Sequence, residues 1–146
     1  MPELDFMVTA DYVRVEGGVL HMIAAGFDTV WTPTVPAVRQ VGVGLRILVD
    51  VAEAREVHRL TLLYQDADGQ VLFRINGTFG PVGPEQPLPA PGRPYGVPLG
   101  FNLPLPLPAF GDYSLELFLD DEADAEKSIT LTVAASADLQ QPPGNA

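Results

Sequence analysis

A chain that does chemistry must gather nucleophiles, acids, bases or metal ligands, and this sequence offers few. Its 146 residues hold no cysteine and two histidines, His21 and His58. That excludes a thiol nucleophile, a zinc-thiolate site and a disulfide scaffold. It also argues against a histidine-rich metal cage. The serines are Ser114, Ser128 and Ser136, and none sits in a Gly-x-Ser-x-Gly elbow. Gly42-Val43-Gly44-Leu45 lies inside a strand pattern and opens no helix, so it cradles no phosphate. No catalytic residue, metal set or cofactor is assigned.

Two groupings remain. Glu16-Gly17-Gly18-Val19 reads as a two-residue hairpin turn, because glycine accepts the positive φ such a turn needs. Arg14 then lies across from His21, and Tyr12 across from Ile23, all on one face. A face of Tyr12, Arg14 and His21 could hold a ligand or partner, or serve as ordinary cross-strand pairing. Strand parity puts Asp11 on the opposite, core side with Val13 and Val15. A buried carboxylate there needs hydrogen bonds or a cation; its ordinary role is to accept backbone N–H groups at a strand end, and as an acid it would line a pocket with Tyr12, Arg14 and His21.

The second grouping is acidic. If successive strands reverse direction, the turn at 17–18 and the loops at 51–56, 80–96 and 120–126 emerge at one end. Glu16, Asp50, Glu53, Glu56, Glu85, Asp120, Asp121, Glu122, Asp124 and Glu126 lie around them, ten of the nineteen acids. Converging carboxylates could hold calcium with six to eight oxygens, although the run from Asp120 to Lys127 lacks the glycine of an EF-hand loop. The ordinary role of such loops is solubility.

The formal net charge is −11, with Lys127 the one lysine. Nucleic acid and anionic membrane surfaces both require a positive patch, so neither is an expected partner. The start, Met1-Pro2-Glu3-Leu4-Asp5, has no basic and apolar signal, and no run spans a membrane. The cytoplasm is therefore the expected location, and Asn76-Gly77-Thr78 is expected to be a turn or bulge instead of a glycosylation site.

These groups must be positioned by strands. From Val41 to Val51 the odd positions are Val, Val, Leu, Ile, Val and Val, and only Leu48 breaks the polar set between them. Period-two alternation of this kind marks a strand with one buried face. Similar patterns predict eight strands, about 6–15, 19–27, 40–51, 56–65, 70–79, 97–103, 111–120 and 127–134. No helical stripe competes, and 52–56 makes one helical turn at most. The expected fold is an all-β sandwich of about eight mostly antiparallel strands, immunoglobulin-like or jelly-roll-like. It forms one domain over 1–137, followed by a disordered tail over 138–146.

Residues 81–108 hold ten of the fifteen prolines and read as a long, partly polyproline loop laid over the sandwich. Pro98 marks an edge or a strand start. Gly42 and Gly44 leave one strand face flat, which calls for a close approach by the proline loop or a second subunit. Trp31 falls in a connection of about 13 residues, and Leu48 and Phe118 point outward. His58 begins a strand with no obvious partner.

The segment from Ala10-Asp11-Tyr12-Val13-Arg14-Val15-Glu16-Gly17-Gly18 through Leu20 and Ile23 to Gly26 is distinctive. So are Pro98-Leu99-Gly100-Phe101-Asn102-Leu103 and Pro108-Ala109-Phe110-Gly111-Asp112-Tyr113. Over roughly 7–133 the chain resembles an uncharacterised bacterial family of small single-domain β-rich proteins. The resemblance implies a stand-alone β domain and supplies no catalytic residues.

Taken together, these features predict a non-catalytic binding or interaction module that self-associates, with an unidentified protein as partner. Trp31 and Phe118 are the expected contacts, so Trp31→Ala or Phe118→Asp would turn a dimer into a monomer. One alternative is a small-ligand binder or enzyme using Asp11, Tyr12, Arg14 and His21. Another is a calcium-binding sandwich that uses the acidic end.

Overall fold

The computed structural model describes residues 1–81 and 90–136. Glu85 and the tail expected at 138–146 lie outside the described residues. The described chain is all-β apart from a single 3-10 turn at Val51–Glu53. Its strands are β1 (Glu3–Ala10), β2 (Tyr12–Glu16), β3 (Val19–Ile23), β4 (Thr29–Thr32), β5 (Ala37–Val49), β6 (His58–Asp66), β7 (Val71–Phe79), β8 (Tyr95–Leu107), β9 (Gly111–Leu119) and β10 (Lys127–Ala135).

A three-stranded sheet, β1-β5-β8, faces a five-stranded sheet, β4-β10-β9-β6-β7. The alternation read in the sequence forms the core between them. Val41, Val43, Leu45, Ile47 and Val49 of β5 meet Leu60, Leu62 and Tyr64 of β6, Leu115, Leu117 and Leu119 of β9, and Leu131 and Val133 of β10. Each such side chain contributes roughly 1.5–3 kcal/mol by leaving water. The Tyr64 hydroxyl donates to the carbonyl of Pro106 at 2.9 Å and so ties one sheet to the other. Burial, with a smaller effect from Tyr113, pushes the Tyr64 phenol well above its ordinary pKa.

Several expectations are corrected. The strand expected at 6–15 breaks at Asp11 into β1 and β2. The strand expected at 19–27 stops at Ile23, because Ala24 (φ 53°) and Gly26 (φ 93°) turn the backbone into the left-handed region. Trp31 is not in a loop: β4 pairs in parallel with β10, Trp31 opposite Ala134. Asn76-Gly77 is neither a turn nor a bulge. It lies inside β7 opposite Thr61 and Leu60, with the Thr61 hydroxyl donating to Asn76 Oδ1 at 2.9 Å.

The proline segment is also not all loop, since β8 runs thirteen residues through it. Pro98, Pro104 and Pro106 lie opposite Arg46, Gln40 and Val38, all of one parity. Proline has no N–H to donate, so this parity faces away from β5, toward the sheet edge. The prolines blunt that edge against further strand pairing.

The third sheet is the β2-β3 hairpin, which pairs with neither of the others. It lies on the outer face of the three-stranded sheet and makes a partial third layer. Its position accounts for the flat glycine face. The close approach is made by the β2-β3 hairpin, where the sequence called for the proline loop or a second subunit.

Candidate functional site

The hairpin register is Tyr12 with Ile23, Val13 with Met22, Arg14 with His21, Val15 with Leu20 and Glu16 with Val19. Gly17 (φ 60°) and Gly18 (φ 74°) close the turn. Alternation sends Val13, Val15, Leu20 and Met22 down onto the sheet. Tyr12, Arg14, Glu16, Val19, His21 and Ile23 point away from it.

The seat beneath is shaped for this ribbon. A Cβ on Gly42 would lie 3.0 Å from both the Val13 nitrogen and Val13 Cγ1, and 3.1 Å from Asn102 Oδ1. One on Gly44 would lie 2.7 Å from Met22 Sδ, and one on Gly100 3.0 Å from Val13 Cγ2. A side chain at any of these positions would crowd the ribbon, and most at Gly42, where backbone stands in the way. Asn102 then replaces the missing backbone ladder. The Val13 N–H donates to Asn102 Oδ1 at 3.0 Å, and Asn102 Nδ2 donates to the Val13 carbonyl at 2.8 Å. One side-chain amide therefore satisfies both polar groups of a residue that is fully buried.

The outer face is built differently. Ile23 is 62% exposed, Val19 56% and Tyr12 47%. Arg14 pairs with Glu16 at 2.9 Å on the same strand. In a chain of net charge −11 this face carries one cation and one anion, with His21 between the apolar residues. The shared face expected for Tyr12, Arg14 and His21 is present. Asp11 does not join it, nor is it buried. It occupies the bend, half exposed, 3.2 Å from Arg39. A bend resets parity, so counting inward and outward positions across Asp11 failed. Three of the four residues lie on an open ribbon and the fourth faces Arg39.

Trp31 and Phe118 are both on the outer face of the five-stranded sheet, but apart. Trp31 is 48% exposed on the edge strand β4. Its neighbour Ala134 lies one residue past Val133, which pairs with Gly111, seven residues along β9 from Phe118. At about 3.3 Å per residue that separates them by roughly 25–30 Å. Phe118 is half-buried in a cleft of about 260 Å³ with Thr61, Leu63, Arg74, Asp120, Asp121 and Glu122. Trp31 and Phe118 do not form one patch.

At the acidic end, Glu53, Glu56 and His58 bring potential ligand atoms within 4.8 Å of one another. Glu53 and His58 already have partners within the protein, and Glu56 is exposed. His58, expected to lack a partner, is buried. Its Nε2 meets the Glu53 carbonyl at 3.0 Å, its Nδ1 meets Asp120 Oδ2 at 3.3 Å, and its ring stacks on Phe79. Asp120 Oδ1 accepts from the Arg59 N–H at 2.9 Å, and Asp121 pairs with Arg59 at 2.7 Å. The amino terminus of Met1 pairs with Glu53. Desolvation, then Glu122 and Glu3, push the Glu126 carboxyl above its ordinary pKa. Glu53, His58, Asp120 and Asp121 would each have to give up a protein partner to take calcium. Millimolar calcium is expected to leave the melting temperature unchanged; a rise of several degrees would show a bound ion.

Sequence reasoning missed Asn102. The available signal was Gly100-Phe101-Asn102, which places a small residue and an amide on one face of a strand otherwise made of proline and apolar residues. Their cross-strand partners are Gly44 and Gly42.

The architecture defines a β-sandwich domain carrying a seated hairpin on its smaller sheet. The chain belongs to the family of unknown function DUF6941, whose profile matches residues 5–134. Among curated proteins nothing matches the sequence. A solved structure, the crystal structure of the C-terminal domain of wzt, is similar in fold, with a TM-score of 0.53 and 15% identity. The alignment covers 93% of this chain and 75% of that one, and at this identity it is a likeness of fold alone.

Proposed function

We propose that this domain is a non-catalytic protein-interaction module of the cytoplasm, that it self-associates, and that the outer face of the β2-β3 hairpin is its contact surface. One observation carries this. A ribbon seated on three glycines and clamped by Asn102 keeps Tyr12, Val19 and Ile23 in water on its far side. Fixing a ribbon in place lowers the entropy lost when it meets a partner, and exposed aromatic and apolar anchors supply most of the binding energy at such surfaces. Arg14 and His21 add polar contacts to the same face. Trp31 offers a second contact at the sheet edge and Phe118 a third in its cleft. The charge of −11 supports neither nucleic acid nor an anionic membrane as partner.

The test is capture from the native source with the wild-type chain and with Tyr12→Ala/Ile23→Asp. These two side chains are 47% and 62% exposed and lie outside the core, so the variant is expected to keep its fold. Proteins retained by the wild type are expected to be lost, by tenfold or more, from the variant. Identical captures would remove the hairpin face from the account.

A further inference from the structure

The hairpin is fastened to its sheet by side chains alone and is bounded on both strands by bends at the same level. On one side the bend is Asp11, between β1 and β2. On the other it is Ala24 and Gly26, both at positive φ. These bends face each other: the Asp11 N–H donates to the Ile23 carbonyl at 2.9 Å, and the Gly26 N–H to the Thr9 carbonyl at 2.7 Å. Below this line the Thr9 hydroxyl holds the Phe27 carbonyl at 2.6 Å, so the stem stays with the sandwich. Above it lie residues 12–23, an arm about 17 Å long by strand geometry.

A ribbon bent across one transverse line can straighten there without losing its internal pairing. Straightening at Asp11 would run β1 into β2 as one strand, the unbroken strand that the residue pattern by itself predicts. It would also release Ala24 from a left-handed conformation that a residue with a Cβ rarely adopts. The arm then leaves the bed of Gly42, Gly44, Gly100 and Asn102. An arm from a second copy carries the same Val13 and Met22 and fits that bed with the same contacts.

We propose that two copies of this chain associate by exchanging β2-β3 arms, each arm seated on the glycine bed and Asn102 of the other copy. This rests on the self-association proposed above and specifies how it occurs. The occupant is a second copy because the bed is already seen filled by this hairpin, and because exchange creates every docking contact twice with only the bends changed. The outer faces of the arms remain open for other proteins.

The absence of native cysteine makes a clean test. A Cβ on Gly100 would lie 3.6 Å from Val13 Cβ, within the 3.5–4.5 Å that a disulfide spans. Val13→Cys and Gly100→Cys are made as separate chains, mixed with reductant at high concentration, then oxidised. Light scattering of the wild type, at a chain mass of 15.7 kDa, reports the dimer in parallel. The double variant Val13→Cys/Gly100→Cys, oxidised at high dilution, checks that the pair can close and that the chains fold.

Exchange predicts a covalent heterodimer of the two single variants as the main product, a dimeric wild type, and internal closure of the diluted double variant. If the diluted double variant closes internally while the mixed singles give no heterodimer, exchange is overturned, whether the wild type is dimeric or monomeric. The hairpin's outer face would survive that result, since its own test is the loss of captured proteins. Failure of the double variant to close at any concentration would also overturn the proposal, because Val13 and Gly100 would then not meet.

Discussion

Gly42→Val is expected to lift the hairpin off its sheet. Its side chain would enter space held by the Val13 nitrogen and by Asn102 Oδ1, at 3.0 and 3.1 Å from the first added carbon. Neither atom is the loose end of a flexible chain. Val13 is backbone at that point, and Asn102 is held by two hydrogen bonds. Overpacking of this kind costs about 1–3 kcal/mol, and the lost clamp adds about 1 kcal/mol per bond. A loss of about 3 kcal/mol is therefore expected, on the order of 10 °C in melting temperature for a chain of this length. Hydrogen exchange should show where the loss falls. Val13 and its neighbours should exchange quickly, while the amides of β5 and β6 stay protected until global unfolding. An unchanged melting curve would mean that the hairpin contributes nothing to the fold.

Asn102→Leu should act on the same seat through a different term. It keeps the branched shape of the side chain but leaves the Val13 N–H and carbonyl without partners in a buried place. Each orphaned group costs about 1–3 kcal/mol, so a loss of about 2–6 kcal/mol is expected in a denaturant titration. Asn102→Asp separates the two bonds. The introduced carboxylate still accepts from the Val13 N–H but sets an oxygen against the Val13 carbonyl. At neutral pH the variant should be less stable than the wild type. As the pH falls and the carboxyl takes up a proton, it becomes a donor again, so part of the difference should be recovered. A pH-independent difference would show that the second bond carries no weight.

These effects center on residues whose roles were unevenly legible. The core was plain because alternation is local: Val41 to Val49 points inward whatever surrounds it. The hairpin and its register were equally plain, because two adjacent glycines fix the turn and the turn fixes the pairing. The bend at Asp11 was not, since a straight strand satisfies the same pattern and only tertiary packing selects the bent form. β4 was missed because four residues with no clear alternation become a strand only by pairing with β10, about a hundred positions later. The full length of β8 was hidden by prolines that are compatible with a strand only at a sheet edge. Glycine signalled close approach at 42 and 44 but not by what. That answer needed the third layer, and Asn102 gained meaning only once Val13 stood over it.

The claim that the hairpin's outer face is where this domain meets other proteins is tested most directly by covalent side-chain footprinting, comparing the dilute purified chain with the chain inside its source cells. Tyr12, Val19 and Ile23 should lose label in the cell, while Val38 and Val57, also exposed in the isolated domain, keep it. Unchanged labelling of the hairpin, or protection confined to Trp31 and Phe118, would contradict the account.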